Sequence, residues 1–144
     1  AAGAQGSLDV TSTHPYQGVA DAPPETPDDG TIWTLDHVGA VRALMDANGD
    51  ADKEIWFTEF GWSSHPNWPG IKNWERGVSD QEQADYFLRT LDFVAAEHPT
   101  VTNVFWYNER DRGGSNDQID NYGIFTHDLD PKPAYLSIAA RLTD

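Results

Sequence analysis

The stretch 54-EIWFTEFGW-62 decides how this chain is read. It is a continuous aromatic and β-branched run, the pattern of a strand buried on both faces in a parallel sheet covered by helices. Near its end stands a carboxylate, Glu59. A carboxylate in such a place loses hydration, so it requires hydrogen-bond donors, a cationic partner or a raised pKa. That environment suits a catalytic group. The competing structural reading pairs Glu59 with a basic residue at the top of the sheet, and Arg110 and Arg112 lie in a neighbouring loop.

Outward from this strand, the same strand-then-helix unit recurs on both sides. Upstream, 8-LDVTSTHPY-16 reads as a strand in which Leu8, Val10, Ser12, His14 and Tyr16 share one face, so His14 and Tyr16 point the same way. The Pro- and Asp-rich loop 21-DAPPETPDDG-30 follows. Thr31 or Thr34 then caps a helix with Leu35, Val38, Val41, Leu44 and Met45 at helical spacing, ended by Asn48-Gly49. Downstream, Ser79 and Glu82 have capping-box spacing ahead of the stripe Ala84, Phe87, Leu88, Leu91, Val94 and Ala95. His98-Pro99 closes that helix, 101-VTNVFWYN-108 supplies a third strand, and Lys132-Pro133 opens a helix with Tyr135, Ile138, Ala139 and Leu142 on one face. The order βαβαβα predicts an α/β fold with parallel strands, helices outside and function at the strands' C-terminal ends.

Composition narrows the partners. The 144 residues carry 9 Lys+Arg against 24 Asp+Glu, a formal net charge of −15, with six Trp and 38% apolar residues. Such a chain can bury a core, but it repels a phosphate backbone or an anionic membrane, so neither nucleic acid nor membrane is expected as a partner. No apolar stretch approaches the roughly 20 residues that span a bilayer, and 1-AAGAQGS-7 lacks the charged and apolar regions of a signal peptide. With no Cys there is no disulfide or thiolate site, and neither a metal nor a cofactor is expected.

Two motifs imitate other chemistries. Asp46, Asn48, Asp50 and Asp52 with Glu54 resemble the start of a calcium loop, but Ala51 stands where the sharp-turn Gly belongs and Phe57 where the bidentate acid belongs. Ser63 and Ser64 near His65 suggest a hydrolase nucleophile without the G-x-S-x-G elbow. Aromatic residues at the loop ends are more telling. An exposed Trp106 at the end of the third strand would offer a flat face to a sugar ring, with Trp62, Trp68 and Trp74 around the second loop adding to it.

Together 55-IWFTEFGWS-63, the His14-Pro15-Tyr16 strand end, 105-FWYN-108 and 121-NYGIFTHDLDPKPAY-135 resemble the C-terminal part of a clan-A retaining glycoside hydrolase, of the cellulase-like (family 5) or xylosidase-like (family 39) type. The resemblance covers nearly the whole chain. It implies a partial TIM (β/α)8 barrel in which residues 1–144 form the C-terminal portion, three strand-helix units resembling strands six to eight. It implies Glu59 as nucleophile, His14 and Tyr16 as its supporting pair, and Trp106, Trp62 and Asn108 as substrate-binding residues. The acid/base Glu of that family follows an Asn on a fourth strand that this sequence does not contain. The implied partners are a carbohydrate substrate and the missing N-terminal part of the same barrel, or another partner covering the open sheet edges. Secretion is likewise implied by the resemblance alone. A sugar-binding remnant without turnover is the alternative from another class.

Overall fold

A computed structural model describes residues 6–143 of the chain; the first residues of the N-terminal stretch read above lie outside them. Strand β1 (Val10–Thr13), helix α1 (Val38–Ala47), β2 (Glu54–Phe60), α2 (Asp80–Glu97), β3 (Val101–Trp106) and α3 (Pro133–Arg141) follow in the expected alternation. The three strands form one sheet in the order β1-β2-β3, and both pairings are parallel. Three consecutive strand-helix units of this kind are consistent with part of a barrel, and the described residues form no complete barrel.

Local chemistry explains the element ends. Ser79 Oγ accepts from the Glu82 N–H at 3.1 Å while the Ser79 N–H donates to Glu82 Oε2 at 2.8 Å, closing the capping box at the start of α2. Pro133 opens α3 where its missing N–H costs nothing. The calcium-like segment forms a turn fastened by Arg42, which donates to Asp46 Oδ1 and to the carbonyls of Asp50 and Lys53 at 2.7–2.8 Å.

The core lies between the sheet and the helices. Ile55, Phe57 and Phe60 of β2 are fully buried in one cluster with Leu35, Val38 and Met45 and with Ala84, Phe87 and Val94 of α2. Several expectations need correction. The first strand ends at Thr13, so His14 and Tyr16 lie just beyond it. Helix α1 is preceded by a 3-10 turn at Leu35–His37, and Thr34 before it makes no side-chain cap bond. Leu44 and Leu142, placed in apolar stripes by their spacing, are exposed because no element of the chain packs on those flanks. In α2, Gln83 and Thr90 take buried positions within the stripe while Ala95 is exposed. Gln83 donates to the Trp62 carbonyl and Thr90 to the Tyr86 carbonyl, which satisfies their donors inside the core.

Strand β2 is buried on one face rather than two. Trp56 and Phe105 meet across the other face at 6.2 Å between ring centroids, and Phe105 remains half exposed. Three strands cannot close on themselves, so the face that would line a barrel's interior meets solvent.

One irregularity sets the site. Phe57 pairs with Val104 and Phe60 with Trp106, so three steps along β2 match two along β3. This is a β-bulge, with one extra residue in β2. Strict alternation would put Glu59 on the same side as buried Phe57. With the bulge, Phe57 and Phe60 both enter the core while Thr58 and Glu59 both stay outside it.

Candidate active site

Glu59 emerges at the C-terminal end of β2, the central strand, with its side chain 38% exposed. The Tyr16 hydroxyl donates to Glu59 Oε2 at 3.1 Å, and His14 Nδ1 lies 3.6 Å from the same oxygen. The chain crosses over from β1 in a short turn, with the Tyr16 N–H donating to the His14 carbonyl, and this delivers both side chains to the neighbouring strand. Among the described residues no Arg or Lys pairs with Glu59. The structural reading that would have assigned Arg110 or Arg112 to it is therefore not what the fold builds. Burial, the hydrogen bond to Glu59 and the carboxylate's charge together push the Tyr16 hydroxyl well above the usual phenol range, so Tyr16 is held as a proton donor.

Glu59 and Tyr16 open into a cleft of about 420 Å³ whose walls include Gln17, Tyr107, Gln118 and Tyr122, with Trp74 at its edge. Tyr122 meets Tyr16 edge-on at 5.9 Å and Tyr107 at 5.6 Å, so three tyrosine rings flank the carboxylate. Burial, with Tyr107 beside it, pushes the Tyr122 hydroxyl up to about 12. Close backbone approach shapes the floor: a Cβ on Gly61 would sit 2.6 Å from the Tyr107 carbonyl oxygen. Any other residue there would force the ends of β2 and β3 apart.

The expected sugar-binding tryptophans are placed differently. Trp106 is packed on the helix side, stacked on Phe87 at 4.4 Å and edge-on to Phe60 at 5.3 Å, with its Nε1 donating to the Tyr122 carbonyl. Trp62 is 3% exposed and donates to the Ala22 carbonyl. Neither indole faces the cleft. Pairing of Trp106 with Phe60 sends both toward the helices, and the aromatic side chain that reaches the cleft from this strand end is the next one, Tyr107. Asn108 likewise turns away: its Oδ1 accepts from the Arg110 N–H in a local turn. Tyr107, Tyr122, Gln17 and Gln118 line the cleft and do not figure among the residues expected from the sequence. The segment 121-NYGIF-125 carried the signal for Tyr122, whereas alternation counted from a cleft-facing Trp106 puts Tyr107 on the other face.

Ser63 and His65 do meet, at 2.9 Å, but both are buried and their remaining bonds go to the carbonyls of Gln118 and Glu75. They fasten the loop after β2. A second fastening ties that loop to the one after β3: Lys132, 4% exposed, donates to Ser64 Oγ at 2.6 Å and to Asp111 at 3.2 Å, and Asp111 also accepts from the Gly123 N–H. Tyr122 is held beside Glu59 by this framework.

Parallel strand-helix units with a partly exposed carboxylate at the top of the central strand are consistent with barrel enzymes, which carry their sites at the C-terminal rim of the sheet. No protein-family model matches the sequence, and no curated protein matches it. Solved structures do, glycoside hydrolases among them. A family 39 glycoside hydrolase from Bacteroides cellulosilyticus WH2 is similar over 94% of this chain at 28% identity with a TM-score of 0.67. The β-glucuronidase of Bifidobacterium dentium is similar over 94% at 22% identity and a TM-score of 0.58, and a family 2 β-galacturonidase from Eisenbergiella tayi over 92% at 18% and 0.60. The last two likenesses are of fold alone. The chain spans 27%, 21% and 23% of these three proteins' lengths, about a quarter of each. The xylosidase-like side of the resemblance thus has a counterpart among these three, and the cellulase-like side does not.

Proposed function

We propose that the chain is the C-terminal part of a glycoside hydrolase barrel that hydrolyses β-linked oligo- or polysaccharides with retention, using Glu59 as nucleophile. The observation that carries this reading is the hydrogen bond from Tyr16 to Glu59 Oε2 at the wall of an open cleft. Held at Oε2, the carboxylate directs Oε1 toward a sugar in the cleft. Its attack on the anomeric carbon, as the leaving oxygen departs, gives a glycosyl-enzyme ester. Water then displaces Glu59 and configuration is retained.

Retention needs a second carboxyl group about 5 Å away to protonate the leaving oxygen and then activate the water. Of the described residues lining the cleft, Glu59 is the one carboxylate. Asp111 is committed to Lys132, and Glu109 lies in a separate groove with Arg110. The reading therefore assigns the acid/base to a strand outside this chain, on the remaining barrel units that would cover both edges of the sheet. Tyr107 takes the place first expected of Trp106 as the aromatic wall for the sugar. Secretion suits a polysaccharide substrate and rests on the resemblance alone.

The test uses the full-length polypeptide that contains this chain. Treatment with an activated 2-deoxy-2-fluoro glycoside and peptide mapping should place the label on Glu59, and a label on any other carboxylate would falsify the assignment.

A further inference from the structure

Lys132 buries an ammonium group in a chain whose 24 acidic residues would pair it readily at the surface. Its side chain is 4% exposed. Nζ donates to Ser64 Oγ at 2.6 Å and lies 3.2 Å from Asp111 Oδ2 and 3.7 Å from Asp80 Oδ1. These partners come from the loop after β2, the loop after β3 and the first residue of α2. Taking a cation out of water is costly, and an apolar side chain of similar volume often stabilises a fold as well. What the apolar side chain lacks is direction, whereas an ammonium with three N–H donors holds separate segments in one register.

The segment held in this way is 121–124, which carries Tyr122. The Asn121 carbonyl accepts from the Ser64 N–H at 2.9 Å, and the Gly123 N–H donates to Asp111 Oδ1 at 2.7 Å. Both flanks of Tyr122 are thus tied to residues that meet on Lys132 Nζ. The Lys132 N–H adds a bond to the Ile124 carbonyl at 3.0 Å. Tyr122 is 8% exposed, and its ring meets those of Tyr16 and Tyr107 edge-on. We infer that Lys132 is a positioning residue for the attack by Glu59: through Ser64 and Asp111 it fixes Tyr122, and Tyr122 fixes the ring of the tyrosine that holds Oε2. This deepens the reading of Glu59 as nucleophile and rests on it. Lys132 does not line the cleft that holds Glu59, so its effect passes through the protein. A misplacement of about 1 Å at the reacting groups costs up to about a hundredfold in rate.

The experiment measures, in the full-length polypeptide, how fast Glu59 takes the label from an activated 2-deoxy-2-fluoro glycoside. The rate at saturating reagent reads the attack, and the concentration giving half that rate reads binding. In Lys132→Met the saturating rate should fall by roughly ten- to a hundredfold, while the half-saturating concentration changes by less than about threefold. Placed in Tyr122→Leu, where no ring remains to be positioned, the same substitution should lower the rate by less than about threefold further. Its lowering of the melting temperature should persist in both backgrounds. A full loss of rate in both backgrounds overturns the proposal, because Lys132 would then act on the fold at large. An unchanged labelling rate in a folded Lys132→Met overturns it too. If Lys132→Met does not fold, Ser64→Ala and Asp111→Asn each remove one arm of the framework and decide by the same comparison. A label on another residue of the unsubstituted protein, or none, sinks the nucleophile reading and this assignment with it; a label on Glu59 leaves the outcome to the Lys132 comparison alone.

Discussion

Tyr16 and Glu59 are 43 positions apart in sequence and 3.1 Å apart in space, and that single bond organises the site. Removing the donor in Tyr16→Phe leaves Oε2 with only His14 nearby. A hydrogen bond to a charged group contributes about 1.5–3 kcal/mol, so kcat/KM should drop by roughly ten- to a hundredfold while thermal stability changes little. Steady-state kinetics beside a melting curve read both. Glu59→Gln is isosteric and cannot act as a nucleophile; hydrolysis should fall by roughly a thousandfold or more, with sugar binding retained in a titration. A full-length parent that binds sugar but has no hydrolysis to lose would favour the non-catalytic alternative. Tyr122 gives a stability prediction with a definite sign. Its hydroxyl titrates at about 12 in the fold against 10.0 ordinarily, so between these values the unfolded chain has released a proton that the folded chain still holds. Stability therefore falls as pH rises through this window. One pH unit above the ordinary value the loss is about 1.4 kcal/mol, and Tyr122→Phe should abolish that share of the alkaline loss in denaturant melts compared at neutral and alkaline pH.

At the scale of elements, helix α2 depends on its capping box. Ser79→Ala removes the acceptor for the Glu82 N–H and should cost about 1 kcal/mol, visible as a lower denaturation midpoint with an unchanged slope. Phe87→Ala, which withdraws the ring stacked on Trp106, should cost about 3–5 kcal/mol by the same measurement. What was readable in the sequence follows the same division. The alternation of elements, the Ser79–Glu82 box and the Pro133 start were legible because each depends on residues within one turn of chain. The convergence of His14 and Tyr16 on Glu59 was legible because it follows from parallel neighbours. The bulge was not, since an extra residue in β2 exists only relative to its pairing with β3. For the same reason Trp106 was taken for the cleft when Tyr107 occupies it: past an irregular pairing, counting by twos along one strand loses track of the face. Burial of Gln83 and Thr90 was hidden as well, because their carbonyl partners, one of them 21 positions away, do not announce themselves in a stripe of apolar residues.

For the molecule as a whole, two strand edges and one sheet face are uncovered. β1 and β3 each present an unpaired row of backbone groups, and Phe105 on the inner face and Leu136 on α3 are more than half or about half exposed. Expressed alone, the chain should self-associate: its sedimentation coefficient should rise with concentration, whereas a polypeptide supplying the remaining barrel units should sediment as one closed species. A well-behaved monomer at all concentrations would count against the barrel reading. The acid excess has a separate consequence. It sets a repulsive background at the surface in which Arg110 and Arg112, in the loop after β3, are without a carboxylate partner among the described residues.

The fastening of Lys132 to Ser64 and Asp111 gives the molecule a natural seam. Glu59, Tyr16 and both rim loops are tied together within one contiguous run, and among the described residues none ahead of Val10 takes part in those bonds. If the acid/base stands on an earlier strand, as proposed, a break in the polypeptide at that point would leave it and Glu59 on separate pieces. The two pieces, produced separately and mixed, would make hydrolysis itself the reporter of their reunion.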